Sequence, residues 1–232
     1  MRWHLFLAVV ACCQTANGAD PEPEPPRSPH HDAATQLHMR AKYGELHTIE
    51  HALVRGDFMT AKVAARAIAE APDDAGLAEW KHRVSYVREL ANEVAAAPTI
   101  DAALHALPTV AVACAECHVA TGRWPKLAQI PAVPPDKSDT VARMARHQWA
   151  VDRMWDGLIA GDDHLWRQGL EVLAATPPPQ PSVTRVAAGA ALQQTAVTAL
   201  QHQYIDTLDD RAAEYGTMLA TCATCHTAAA AR

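Results

Sequence analysis

Two short strings carry most of the chemistry available to this chain: Cys114-Ala115-Glu116-Cys117-His118 and Cys222-Ala223-Thr224-Cys225-His226. Cys-x-x-Cys-His is the attachment sequence for c-type haem. Within one helical turn the two thiols can each add to a haem vinyl group as a thioether. The adjacent imidazole can then turn onto the iron. Cys114, Cys117, Cys222 and Cys225 are the expected covalent attachment points, and His118 and His226 the expected proximal iron ligands. Two matches, each at the end of a similar stretch of chain, predict two covalently bound c-type haems. Zinc held by Cys-x-x-Cys pairs is the rival chemistry, but each pair would need a second pair, and the histidine after it would go unexplained.

The elements that must position these groups read as helices. Alanine is abundant, aromatic residues are 5% of the chain, and period-two Val/Ile runs are absent, which favours helices packed through small side chains. The net charge of -6, from 26 acidic and 20 basic residues, gives no case for nucleic acid as a partner. The two remaining cysteines, Cys12 and Cys13, lie in the N-terminal apolar segment, so no pair is left for a structural disulfide. No stretch after residue 17 is expected to be long and apolar enough to cross a bilayer.

The chain reads as a tandem duplication. A shift of 105 residues pairs Met39 with Met144, Leu53 with Leu158, Gly56-Asp57 with Gly161-Asp162, and Pro72 with Pro177. Beyond that the offset changes, and Cys114 pairs with Cys222. Each half holds four helical stretches. In the first, Met39, Leu46, Ile49 and Leu53 form an amphipathic seam. Gly56-Asp57 ends that helix, and Asp57 can cap the second. Pro72-Asp73-Asp74 precedes a third, and Pro98-Thr99 a fourth, which carries Leu104, Leu107, Ala111, Cys114 and His118 on one face. Pro108 is expected to kink or split this last helix. In the second half Met144, Val151, Met154 and Leu158 form the matching seam.

The fold class is therefore all-α, as two tandem four-helix bundles, each with a C-terminal haem-attachment helix. The domain plan places an export signal at 1–19, a proline-rich spacer at 20–30, the first bundle at 31–121, a linker at 122–140 and the second bundle at 141–232. Arg2 and the apolar run Leu5 to Ala11 carry the export reading. Val9-Val10-Ala11-Cys12 resembles a lipobox, which would leave Cys12 as a lipid anchor to the membrane. Ala16-Asn17-Gly18 offers an ordinary cleavage site instead. The lipobox is preferred because the tether-like Asp20 to Pro29 follows it. Either route places the protein in the bacterial periplasm.

With the motif at the end of a fourth helix, each half resembles the cytochrome c′ and cytochrome c556 class of four-helix-bundle c-type cytochromes. The resemblance covers residues 31–126 and 137–232. It implies one of two forms. In the c556-like form a methionine of the first helix is the sixth iron ligand and the protein carries electrons. In the c′-like form the iron is five-coordinate and small gases such as NO and CO bind.

Met39 and Met144, matched in the two repeats, are the expected distal ligands, with flexible core filler as the bland alternative. His38, His47, His51 and His147 are rivals on the first helices, but Arg143 matches His38 and Lys42 matches His147, so a symmetric bis-histidine scheme is disfavoured. Most of these histidines are expected on solvated helix faces. Tyr43, Trp149, Trp155 and Trp166 read as bundle core more readily than as an electron route, and Arg123 could meet a haem propionate. The expected function is electron transfer between redox partner proteins, not enzymatic catalysis. A gas-binding protein is the alternative, and a peroxidase lacks any singled-out distal acid or base.

Overall fold

The computed structural model describes residues 29–72, 75–122, 125, 127, 131–177, 183–201 and 207–230. The export signal with Cys12, the spacer before Pro29, and Arg123 lie outside the described residues. All regular structure among those described is helical: α1 (Pro29–Val54), α2 (Phe58–Ala69), a 3-10 turn (Ala75–Trp80), α3 (Lys81–Ala96), α4 (Ile100–Thr121), α5 (Thr140–Ala160), α6 (Asp163–Ala175), α7 (Val183–Gln201) and α8 (Leu208–Ala230).

The helix boundaries follow from local chemistry. Gly56 turns the chain after α1 at φ 81°, and the Asp57 carboxylate accepts a hydrogen bond from the Thr60 N–H at the start of α2. The repeat does the same. Gly161 ends α5 in the left-handed region at φ 63°, and Asp162 accepts from the N–H groups of His164 and Leu165 to cap α6. Thr99 caps α4 and Asp139 caps α5. The third helix differs from expectation, because it enters through a 3-10 turn in which Gly76 offers little support for an α-helix. Pro108 does not split the fourth helix. α4 runs unbroken through it, and Pro108 is buried among neighbouring helices that hold the chain in place.

α4 also corrects the membrane expectation. It is 22 residues long and apolar enough, by length and composition, to cross a bilayer. Its apolar character has an explanation in the fold, since Ala103, Leu104, Leu107, Val110 and Ala111 are all buried against α3, α5 and α8.

Within each half, helices adjacent in sequence pack side by side. The halves are also interlocked. α4 lies broadly along α8, α5 packs on α4, and α1 reaches α8. One hydrophobic core runs through both halves, joining Leu46, Ile49 and Leu53 of α1 to Met154, Trp155 and Leu158 of α5 and to Tyr215, Met218 and Leu219 of α8. Apart from Met39 and Met144, which are half-buried, the matched seams found in the sequence therefore point into a shared interior. The segment between the halves is tied down as well: the Trp149 indole N–H donates to the Pro131 carbonyl, and Arg146 donates to that of Pro134.

A polar network crosses this interior. The Tyr215 hydroxyl donates to Glu50 Oε1 at 2.5 Å and also lies 3.2 Å from the Val151 carbonyl. The Tyr43 hydroxyl donates to Asp156, which pairs with Arg153 at 2.5 Å. Burial raises the pKa of both tyrosines, so both remain donors. Burial also raises that of Asp156, against the opposing pull of Tyr43 and Arg153. Trp155 stacks on Tyr215, with ring centroids 5.6 Å apart.

Candidate functional site

The two motifs occupy the C-terminal parts of α4 and α8, the helices that pack most broadly across the halves. Their local settings match residue for residue. Cys114 and Cys222 are half-buried, Ala115 and Ala223 buried, Glu116 and Thr224 exposed, and Cys117, His118, Cys225 and His226 half-buried. Helical periodicity produces this pattern, because residues i, i+3 and i+4 share a face. In each motif that face holds both thiols and the imidazole.

Burial pushes the Cys114 and Cys222 thiols up to about 12, and raises Cys117 against the pull of Arg83. A thiolate is penalised at these positions, whereas a neutral thioether would not be. None of the four cysteines is in a disulfide, and they do not converge with other donors on one metal-sized site among the described residues. The geometry thus gives no support to zinc held by paired Cys-x-x-Cys units.

His118 is oriented by the other half of the chain. Its Nδ1 lies 3.0 Å from the carbonyl oxygen of Ile159, near the end of α5. A carbonyl only accepts, so Nδ1 carries the hydrogen and Nε2 is left with its lone pair. Burial lowers the His118 pKa, with the Ile159 bond opposing, which favours the neutral, ligating form. Metal-bound histidines are commonly held in this way by a carbonyl on the second nitrogen.

The second motif opens into a cavity of about 160 Å³. Cys222, Cys225 and His226 form one wall, and Met144 and His147 of α5 stand on another. The residue expected to face His226 thus shares its cavity. α1 of the first half lines it as well, with Glu50, His51, Val54 and Arg55, and α7 adds Gly189 and Leu192. Met39, the repeat partner of Met144, is half-buried on α1.

One histidine differs from its expected setting. His147 is buried, with Nε2 3.3 Å from the Thr176 carbonyl, because α5 turns that face inward against the end of α6. Trp149, Trp155 and Trp166 are core residues. Sequence reading singled out neither Glu50 nor Tyr215, nor the Ile159 carbonyl that holds His118. The spacing His47-Thr48-Ile49-Glu50-His51, which sets three donors at i, i+3 and i+4, was the available signal for Glu50. A backbone carbonyl leaves no such signal.

No family model, curated protein or solved structure matches this chain.

Proposed function

We propose that the protein is an exported di-haem c-type cytochrome that carries electrons between redox partner proteins. Each half is read as a four-helix haem-binding unit of the cytochrome c′ and c556 kind. Cys114 and Cys117 would hold one haem and Cys222 and Cys225 the other, as thioethers. His118 and His226 would be the proximal ligands, and Met39 and Met144 the distal ones. When bound, c-type haem supplies an iron that takes up and releases one electron, and a methionine ligand raises its potential.

The observation that carries this reading is the cavity in which Met144 stands with Cys222, Cys225 and His226. The donor chemistry suits the group: two thiols and an imidazole on one helix face, with a thioether sulfur on a neighbouring helix. The remaining residues restrict and orient. The Ile159 carbonyl orients the ring of His118, and Val151 and Leu192 add apolar surface to the cavity that holds Met144.

The test is the optical spectrum of the purified protein with haem quantification. Two covalent haems per chain are expected. The oxidised protein should show the weak far-red charge-transfer band of methionine sulfur on ferric haem, lost in the Met39→Ala/Met144→Ala double variant. Absence of covalent haem overturns the reading altogether. Rapid CO binding by the reduced wild-type protein, without ligand displacement, would assign the gas-binding alternative instead.

A further inference from the structure

At the edge of the second cavity, whose lining includes Glu50 and His51, α1 and α5 bring together four donors to which the electron-transfer reading assigns no role. His47, Glu50 and His51 lie on one face of α1, and Asp152 reaches them from α5. Their ligand atoms all lie within 4.8 Å of one another. His47 Nδ1 is 3.4 Å from Glu50 Oε2, and His51 Nε2 is 3.8 Å from Asp152 Oδ1. In a tetrahedral zinc site with bonds of about 2.0–2.2 Å, neighbouring donors stand about 3.4 Å apart. The cluster is close to that size before any adjustment.

A second observation concerns Glu50 itself. It is fully buried, and only one of its oxygens has a hydrogen-bond donor, the Tyr215 hydroxyl. The other, Oε2, has no hydrogen bond and points into the cluster. A buried carboxylate oxygen without a donor costs about 1–3 kcal/mol, and a cation among these four residues would remove that cost. The Gln148 amide nitrogen now stands near both His51 Nε2, at 3.1 Å, and Asp152 Oδ1, at 2.8 Å. Its N–H groups occupy the direction in which two of the donors present their lone pairs. Gln148 is exposed, and a bound ion would displace its amide from these two partners.

We propose that His47, Glu50, His51 and Asp152 form a site for a divalent transition ion of the zinc type, separate from the haem motifs. Two imidazole nitrogens and two carboxylate oxygens suit Zn2+ better than Mg2+ or Ca2+, which prefer all-oxygen sites. The ion would tie α1 of the first half to α5 of the second. None of the four residues belongs to a Cys-x-x-Cys-His string, so the assignment does not rest on the haem reading.

The experiment titrates Zn2+ into the full-length, chelator-treated protein by calorimetry, with metal analysis and haem content measured on the same samples. One saturable Zn2+ per chain is expected. His51→Ala and Asp152→Asn should each weaken it at least about 100-fold, at or beyond the upper end of what loss of an outer-shell partner costs. His105→Ala, on α4 away from the cluster, should leave the affinity unchanged. Zn2+ should also raise the melting temperature of the wild type but not of Asp152→Asn, a variant at a half-exposed position that should fold normally. Absence of saturable binding overturns the site. So does binding that survives both His51→Ala and Asp152→Asn, whether at the cysteines or elsewhere. Protein without haem that still binds Zn2+ in the expected pattern supports the site while refuting the haem reading.

Discussion

At the scale of single residues, the contact that ties the chain together most directly is the bond from the Tyr215 hydroxyl to Glu50. Both side chains are fully buried, and their partners lie in opposite halves. Tyr215→Phe removes the donor but keeps the ring that stacks on Trp155. It leaves Glu50 without any hydrogen-bond donor from a protein hydroxyl. The expected loss is about 1–3 kcal/mol of stability, read as a lower urea midpoint with an unchanged slope. A midpoint equal to the wild type would show that Glu50 finds another partner. This pair was not legible in the sequence. A glutamate in an amphipathic seam reads as a solvated residue until its partner is known, and that partner comes from a helix that only tertiary packing brings near. The shared helix face of the thiols and imidazole in each Cys-x-x-Cys-His string was legible, because spacing along a helix sets it. The repeat drew attention to Met144, which lines the cavity of the second string.

At the scale of helices, α5 and α6 approach each other closely. A Cβ added at Gly169 would stand 2.5 Å from the Ala150 carbonyl oxygen and 2.6 Å from Met154 Cγ. One added at Gly157 would stand 2.6 Å from the Trp166 nitrogen. The two glycines let the helix backbones meet. Gly169→Ala should therefore destabilise by about 1–3 kcal/mol, the usual cost of overpacking. Gly44, exposed on α1 with nothing within 4 Å of its added Cβ, is the contrasting case. Gly44→Ala should stabilise by about 1 kcal/mol through helix propensity alone. Thermal melts of the two variants, measured side by side, should move in opposite directions. The turns were readable from sequence, because Gly-Asp after an apolar seam specifies both a left-handed end and the next cap. Which helix packs against which was not, since periodicity gives each helix an inward face but does not name its partner. Pro108 shows the same limit: its local preference to break a helix is overridden by the neighbours that bury it.

At the scale of the whole molecule, the two halves are not independent units. Gly56, at the end of α1, stands against Thr227 just past the second motif, where an added Cβ would lie 3.2 Å from Thr227 Cγ2. Gly161, at the end of α5, stands against Ala115 inside the first motif, at 3.8 Å by the same measure. Each first helix thus ends beside the motif of the other half. With one core shared by both, unfolding should be a single cooperative transition. Calorimetry and far-ultraviolet dichroism should give coincident melts, with calorimetric and van't Hoff enthalpies in agreement. Two resolved transitions would mean that the halves unfold separately.

The Glu50–Tyr215 bond joins residues 165 positions apart. A chain made from its N-terminus contains Glu50 long before Tyr215 exists. Until α8 is synthesised, that carboxylate lacks its hydroxyl donor, and α4 lacks the partner that covers much of its apolar length. The first half must therefore wait, incomplete, for the last helix of the chain. Contacts of such long sequence separation close slowly, and the interval leaves α4 exposed to other chains.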